Sequence, residues 1–193
     1  MKISEKQAID FVVLALRWYL AYYMADYGWS KLTADQFGHR SDAVLNLPLK
    51  DVDKFNLAWY LFSLDKTFDV VVGITQIIAA ILIVINRTVL VGALLLLPVL
   101  TQIFLVDLAF TVEIHGISLV LRLACMVLAD LLILFYYKEK MILVWKILTQ
   151  GTMTKFRYKW WLYLLMPLIG LLTDFIIALL TFPIRFLYEL FAK

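Results

Sequence analysis

The stretch Asp69–Pro98, "DVVVGITQIIAAILIVINRTVLVGALLLLP", decides the fold class of this chain. Two long apolar runs flank the short polar link Asn86–Thr88. A helix needs about 20 apolar residues to cross a hydrocarbon core of about 30 Å, and these runs have that length. Because backbone N–H and C=O groups cannot stay unpaired in lipid, we expect the runs to cross as helices, over about 68–86 and 89–110.

The rest of the chain has the same character. Of its 193 residues, 64% are hydrophobic and 17% are charged, whereas a soluble domain is roughly half apolar and about a quarter charged. Further apolar runs predict spans at about 8–29 and 117–137, and a fifth hydrophobic segment at 160–182. We therefore predict an all-α, polytopic membrane protein, with a four-helix transmembrane bundle in residues 1–137 and a basic linker plus the fifth segment in 138–193.

Basic residues beside the spans predict the orientation. Lysines and arginines dominate on the side of the N-terminus, whereas those of the loop 30–67 are balanced by aspartates. The positive-inside rule then places the N-terminus in the cytoplasm and this loop outside, as expected for a multi-pass protein of the bacterial inner membrane. The net charge of +3 is explained by contacts with lipid headgroups, so we predict no nucleic-acid partner.

Aromatic residues recur in the outer loop at nearly helical spacing. In "FNLAWYLFSLDKTFD", which begins at Phe55, the rings are those of Phe55, Trp59, Phe62 and Phe68. This spacing is typical of an amphipathic helix on the outer membrane surface. It is equally typical of an aromatic belt that anchors the second span.

Charged side chains interrupt the apolar runs, and each costs a few kcal/mol unless it faces protein or water. Arg17 lies near the middle of the first span. The helical period of about 3.6 residues places Asp10, Arg17, Gly28 and Lys31 on one side of that span, and we predict that this side faces inward.

The other spans carry matching polar groups. The resulting candidate network, for ligand binding or for buried charge pairing, consists of Arg17, Lys31, Asp69, Gln76, Gln102, Asp107, Arg122 and Asp130, with Gly28 and Gly73 as structural residues. Because an unpaired buried ion costs more than a paired one, we predict that Arg17 pairs with Asp130, and Arg122 with Asp69 or Asp107.

Three interpretations fit these charges. They lock the helices in register, they surround a polar pocket that opens outward and binds a small ligand, or they face lipid or a partner protein. The single cysteine, Cys125, excludes an internal disulfide and a dithiol reaction. His39 and His115 lie in loops, and the sequence carries no metal-binding motif, so we predict neither haem nor metal.

Two motifs resemble the DoxX-like family of small bacterial membrane proteins. Arg17 is followed eleven residues later by "GWSK" at Gly28–Lys31. The stretch Asp69–Pro98 is similar to the family's acidic residue, glycine, apolar run, arginine turn and small-residue-rich third helix, although Asp69 stands where Glu is usual. The resemblance covers residues 17 to about 137, and the C-terminal segment from about 138 has no clear counterpart in the family.

This resemblance implies a compact four-helix bundle. Some family members are subunits of thiosulfate:quinone oxidoreductases, and others are linked to thiol-redox systems. It therefore implies a redox-associated subunit that binds a quinone or a sulfur compound, rather than a dithiol enzyme. We expect Arg17, Lys31 and Arg122 to supply positive charge for such a ligand. The orienting carboxylates and neutral hydrogen-bonding groups are expected to be Asp69, Asp107, Asp130, Gln76 and Gln102.

The alternative is a protein of another class, a non-catalytic scaffold or anchor. It would dock a periplasmic or membrane protein through the long outer loop. A transporter is a further option, which would require a homo-oligomer because the chain has few spans and no duplicated half.

Overall fold

The computed structural model describes residues 4–33, 44, 48–151 and 156–191, and every regular element in these residues is helical. Five of the helices are long and apolar enough to cross a membrane. They are α1 (Glu5–Leu32), α3 (Lys66–Val84), α4 (Val89–Phe110), α6 (Ile117–Tyr136) and α8 (Trp160–Phe191). The predicted all-α, multi-pass architecture is confirmed, and the first helix extends beyond the predicted span at both ends.

Shorter elements connect the spans. They are a 3-10 turn (Leu49–Asp51), α2 (Lys54–Phe62), α5 (Val112–His115) and α7 (Lys138–Thr149). The loop between the first two spans thus contains a helix where the aromatic spacing indicated one. Its first residue follows Asp53, whose side chain accepts a hydrogen bond from the Asn56 N–H and caps the helix. Residues 34–43 and 45–47 of this loop, which include His39, lie outside the described residues.

The four long helices of the first unit form a bundle. α1 packs against α3 and α6, and α4 packs against the same two helices. The core between them consists of fully buried Leu and Met side chains together with small residues, and it includes Leu20, Met24, Leu96, Leu100, Leu123 and Met126. Lipid tails are as apolar as these side chains, so close packing rather than the hydrophobic effect holds the helices together.

Glycines set the closest approaches between the helices. A Cβ added at Gly28 would lie 2.7 Å from the carbonyl oxygen of Gly73, and one added at Gly73 would lie 2.8 Å from that of Gly28. A Cβ at Gly92 would lie 2.5 Å from the backbone nitrogen of Ile83. The backbones of α1 and α3 therefore touch near the end of the bundle where α2 lies, and those of α3 and α4 touch near the Asn86–Thr88 link.

The chain divides into two compact units, residues 1–147 and 148–193. This division falls later than the boundary expected after residue 137. The second unit consists mainly of α8. No residue in the spanning window of Trp160–Pro183 is buried, so its apolar side chains are available to lipid.

Candidate functional site

Arg17 lies in the core of the bundle and is only 4% exposed. Its guanidinium caps the C-terminal end of α3 by donating hydrogen bonds to it. Nε donates a hydrogen bond to the carbonyl oxygen of Ile83 at 2.8 Å. Nη2 donates to the carbonyl oxygen of Val84 and to Oδ1 of Asn86. The last carbonyls of a helix have no partner within the helix, and in a membrane they must find one in the protein. A cation also suits this end of the helix dipole.

The predicted ion pair between Arg17 and Asp130 is wrong. Asp130 is fully buried, and neither of its carboxylate oxygens has a hydrogen bond with any described residue. The two residues do lie at a similar level along the bundle, because the Tyr136 hydroxyl of α6 donates a hydrogen bond to Asp10 of α1 at 3.0 Å, six residues from Asp130 and seven from Arg17. The guanidinium points instead toward α3. Asp10 itself, expected on the inward side, is exposed.

The opposite end of the bundle, where α2 lies, is called here the loop side. Lys31, Asp69 and Asp107 are buried there, at 7%, 7% and 8% exposure. The Lys31 ammonium interacts electrostatically with both carboxylates. Three helices, α1, α3 and α4, therefore each contribute one charged side chain to a cluster at this end of the bundle.

Arg122 does not take the partner predicted for it. Its guanidinium carbon lies 5.4 Å from the centre of the Tyr23 ring, an arrangement typical of a cation–π contact. Lys31, rather than Arg122, is the cation that faces Asp69 and Asp107. The Arg122 side chain is exposed and is free to contact a ligand as well as the ring.

A cavity of about 510 Å³ lies beside this cluster and is called here the loop-side cavity. Its volume is typical of small-molecule sites, which range from about 300 to 1,000 Å³. Four of the eight predicted site residues line it: Lys31, Gln102, Asp107 and Arg122. The other four, Arg17, Asp69, Gln76 and Asp130, do not.

Aromatic rings form one wall of the cavity. Phe55 and Trp59 of α2 stack with ring centres 4.3 Å apart, and Phe62 stacks on Phe68 of α3 at 5.6 Å with an angle of only 8° between the planes. All four rings line the cavity. The predicted amphipathic segment thus lines a cavity in the bundle. Phe62, the last ring of α2, also contacts the second span through Phe68.

The polar residues of the cavity include three that the sequence did not single out, Tyr27, Thr75 and Thr111. The Tyr27 ring lies 6.0 Å from the Lys31 ammonium. Its hydroxyl is buried, has no hydrogen bond with the described residues, and is within electrostatic range of Arg122 and Asp107. The signal that could have identified Tyr27 is its position one helical turn before Lys31 on the inward side of α1.

Gln76 is fully buried in α3 but does not reach the cavity. A Cβ added at Gly28 would lie 3.3 Å from the Cβ of Gln76, so this amide faces α1. Neither polar atom of the amide has a hydrogen bond with the part of the chain that the structure describes. Its inward orientation agrees with the predicted side of the second span, shared with Asp69 and Gly73.

Comparison with known proteins gives one relative of undetermined function. The chain is similar to the uncharacterised protein YwoB of Bacillus subtilis (strain 168), with 29% identity over 112 residues, which cover 58% of this chain and 71% of YwoB. No family model matches the chain. No solved structure matches it significantly. The resemblance to DoxX-like proteins therefore stays a prediction.

Proposed function

We propose that this chain is a DoxX-like protein of the bacterial inner membrane whose loop-side cavity binds a small ligand of the quinone type. The observation that carries the proposal is the composition of the cavity. Five aromatic residues line it, Tyr27 and the four of the aromatic wall, together with the hydrogen-bond donors of Lys31, Gln102 and Arg122. A flat ring with carbonyl oxygens at its edge is the chemistry that such a site recognises.

Each group has a role in this proposal. Arg122 and Gln102 donate hydrogen bonds to the carbonyl oxygens of the ligand, and the aromatic wall packs against the face of its ring. Lys31 is held in place by Asp69 and Asp107, which offset its charge when no ligand is bound. The positive charges of Lys31 and Arg122 also stabilise a reduced, anionic form of the ligand. This property suits a subunit that binds a quinone for a redox partner.

The cavity faces the outer side of the membrane in this proposal. Its residues lie near the C-terminal ends of α1 and α4 and the N-terminal ends of α3 and α6. All four ends are on the side opposite the chain's N-terminus. With the N-terminus in the cytoplasm, as the flanking basic residues predict, that side is periplasmic.

The test is ligand binding to the purified protein in lipid nanodiscs, read from quenching of tryptophan fluorescence by a decyl-substituted para-benzoquinone. Arg122→Gln removes an exposed charge that no described ion pair uses. A hydrogen bond from a charged group contributes about 1.5–3 kcal/mol, so Kd should rise roughly tenfold to a hundredfold. The matched control is Arg87→Gln, at the far end of the bundle. Equal affinities in the two variants would refute the proposal, and binding of thiosulfate in place of the quinone would assign the cavity to a sulfur compound.

A scaffold or anchor is the second candidate function. The observation that favours it is α8, whose spanning window has no buried residue, so its apolar side chains are available to a membrane partner. A co-purified stoichiometric partner that is lost when residues 33–66 or α8 are replaced, together with no ligand binding in the wild type, would support this function over the first.

A further inference from the structure

The loop-side cavity reaches the lipid-exposed surface of α3. Val71 lines the cavity and is nevertheless 59% exposed. It continues the exposed apolar strip of the same helix, formed by Ile74, Ile78 and Ile81 at 45%, 46% and 55% exposure. In a spanning helix such a strip faces acyl chains. The cavity is therefore open to the bilayer at Val71.

The facing edge of this opening belongs to α4. Gln102 lines the cavity and is exposed, as are Thr101 before it and Leu105 one turn later. Gln102 lies about two helical turns from the end of α4 at Phe110, and we therefore place it inside the membrane. No described residue forms a hydrogen bond with its amide. An amide without a partner is costly in hydrocarbon, so this residue is suited to contact a polar group that arrives from the membrane.

The packing of α3 against α4 explains the opening. The two backbones approach most closely at Ile83 and Gly92, near the Asn86–Thr88 link, where a side chain on the glycine would collide with the neighbouring backbone. Toward the loop side, the positions that line the cavity follow one side of each helix, from Thr75 up to Phe68 and from Val99 to Val106. The helices are thus in contact at one end and enclose the cavity at the other.

The aqueous side of the cavity is covered. α2 contributes three aromatic rings to the wall, and its Lys54 forms an ion pair with Glu113 of α5, with Nζ 2.9 Å from Oε1. This pair connects the cover to the turn between α4 and α6. The stacking of Phe62 on Phe68 joins it to α3. A ligand from water would have to pass the aromatic rings of α2 that line the cavity.

We infer that the ligand enters the loop-side cavity sideways from the bilayer, between Val71 of α3 and Gln102 of α4. The ligand class that follows is an amphiphile dissolved in the membrane, with a polar ring in the cavity and an apolar chain that extends between α3 and α4 into lipid. This inference rests on the proposed function, because it assumes that the cavity binds a ligand.

The experiment measures association and dissociation rates of the decyl-substituted para-benzoquinone in nanodiscs by stopped-flow quenching of tryptophan fluorescence. Val71→Phe narrows the opening, and the control Ile78→Phe introduces the same aromatic side chain into the same lipid-exposed strip away from the cavity. A narrowed entrance slows both association and dissociation of the ligand, by about tenfold. Ile78→Phe should match the wild type.

The opposite entrance is tested with Lys54→Ala, which removes the ion pair of the cover. The sideways route predicts unchanged rates in this variant. Faster association in Lys54→Ala, with no effect of Val71→Phe, would overturn the inference in favour of entry from water. So would a Val71→Phe variant that only dissociates faster, because that result shows a lost contact and not a narrowed entrance. Absence of quinone binding in the wild type would instead refute the proposed function itself.

Discussion

Replacing Arg17 with Met should destabilise the bundle without abolishing ligand binding. The guanidinium satisfies the carbonyl oxygens of Ile83 and Val84 at the end of α3 and the side chain of Asn86. Methionine has a similar length and fits the apolar core, but it donates no hydrogen bond. The substitution therefore leaves the end of α3 unsatisfied where water is scarce.

The magnitude follows from the groups left without partners. A hydrogen bond from a charged donor contributes about 1.5–3 kcal/mol, and one buried and one part-buried carbonyl lose such a bond. Hydrogen bonds measured inside membrane proteins are weaker, with an average of about 0.6 kcal/mol, because the unfolded chain in the membrane also finds partners. We expect the free energy of unfolding to fall by about 2–4 kcal/mol, and relief of the buried charge to reduce the effect rather than reverse it.

The assay is reversible unfolding in mixed micelles with increasing SDS, followed by far-UV circular dichroism. Arg87→Met, an exposed arginine three residues beyond Val84, is the matched control and should stay within about 0.5 kcal/mol of the wild type. Arg17→Lys should lie between the two, because it keeps the charge at the helix end but loses the fork of donors. An Arg17→Met variant as stable as Arg87→Met would refute the reasoning. The sequence analysis expected Arg17 to supply positive charge for the ligand, whereas the structure places Arg17 outside the loop-side cavity.

Three further predictions follow from single contacts. Gly28→Ala should lower the free energy of unfolding by about 1–3 kcal/mol, because its Cβ would lie 2.7 Å from a backbone oxygen of α3, whereas Gly170→Ala, with nothing within 4 Å, should be neutral or stabilising in the same assay. Gln102→Leu should raise the Kd for the decyl quinone about threefold to tenfold, the effect of one neutral hydrogen bond, and an unchanged Kd would remove this residue from the site. The hydrogen bonds from the backbone and side chain of Asn56 hold the pKa of Asp53 below its usual value. The capped α2 should therefore be stable above about pH 4 and lose the contribution of the cap as the pH falls through the lowered pKa. The measurement is the near-UV circular dichroism signal as a function of pH. Asp53→Asn keeps a capping side chain that does not titrate, so its signal should change less at acid pH than that of the wild type.

The sequence by itself determined the architecture. The length of the apolar runs set the number of spanning helices, because lipid leaves no other way to pair the backbone of a single hydrophobic segment. Helical periodicity also identified the inward side of α1: Arg17, Gly28 and Lys31 are all buried there, as their spacing indicated. These conclusions need only the geometry of one helix, so no neighbour had to be known.

Only the tertiary structure decided which groups the inward side chains meet. From the sequence we predicted that a side-chain carboxylate pairs with Arg17. In the structure, α1 packs on α3, and the guanidinium instead donates to backbone carbonyl oxygens at the end of α3. The aromatic spacing of α2 was also visible in the sequence, but the sequence did not show that these rings form a wall of the loop-side cavity. Both outcomes depend on where the neighbouring helices end and how closely glycines let them approach. Those are distances between segments far apart in the chain, and the pattern within one segment does not contain them.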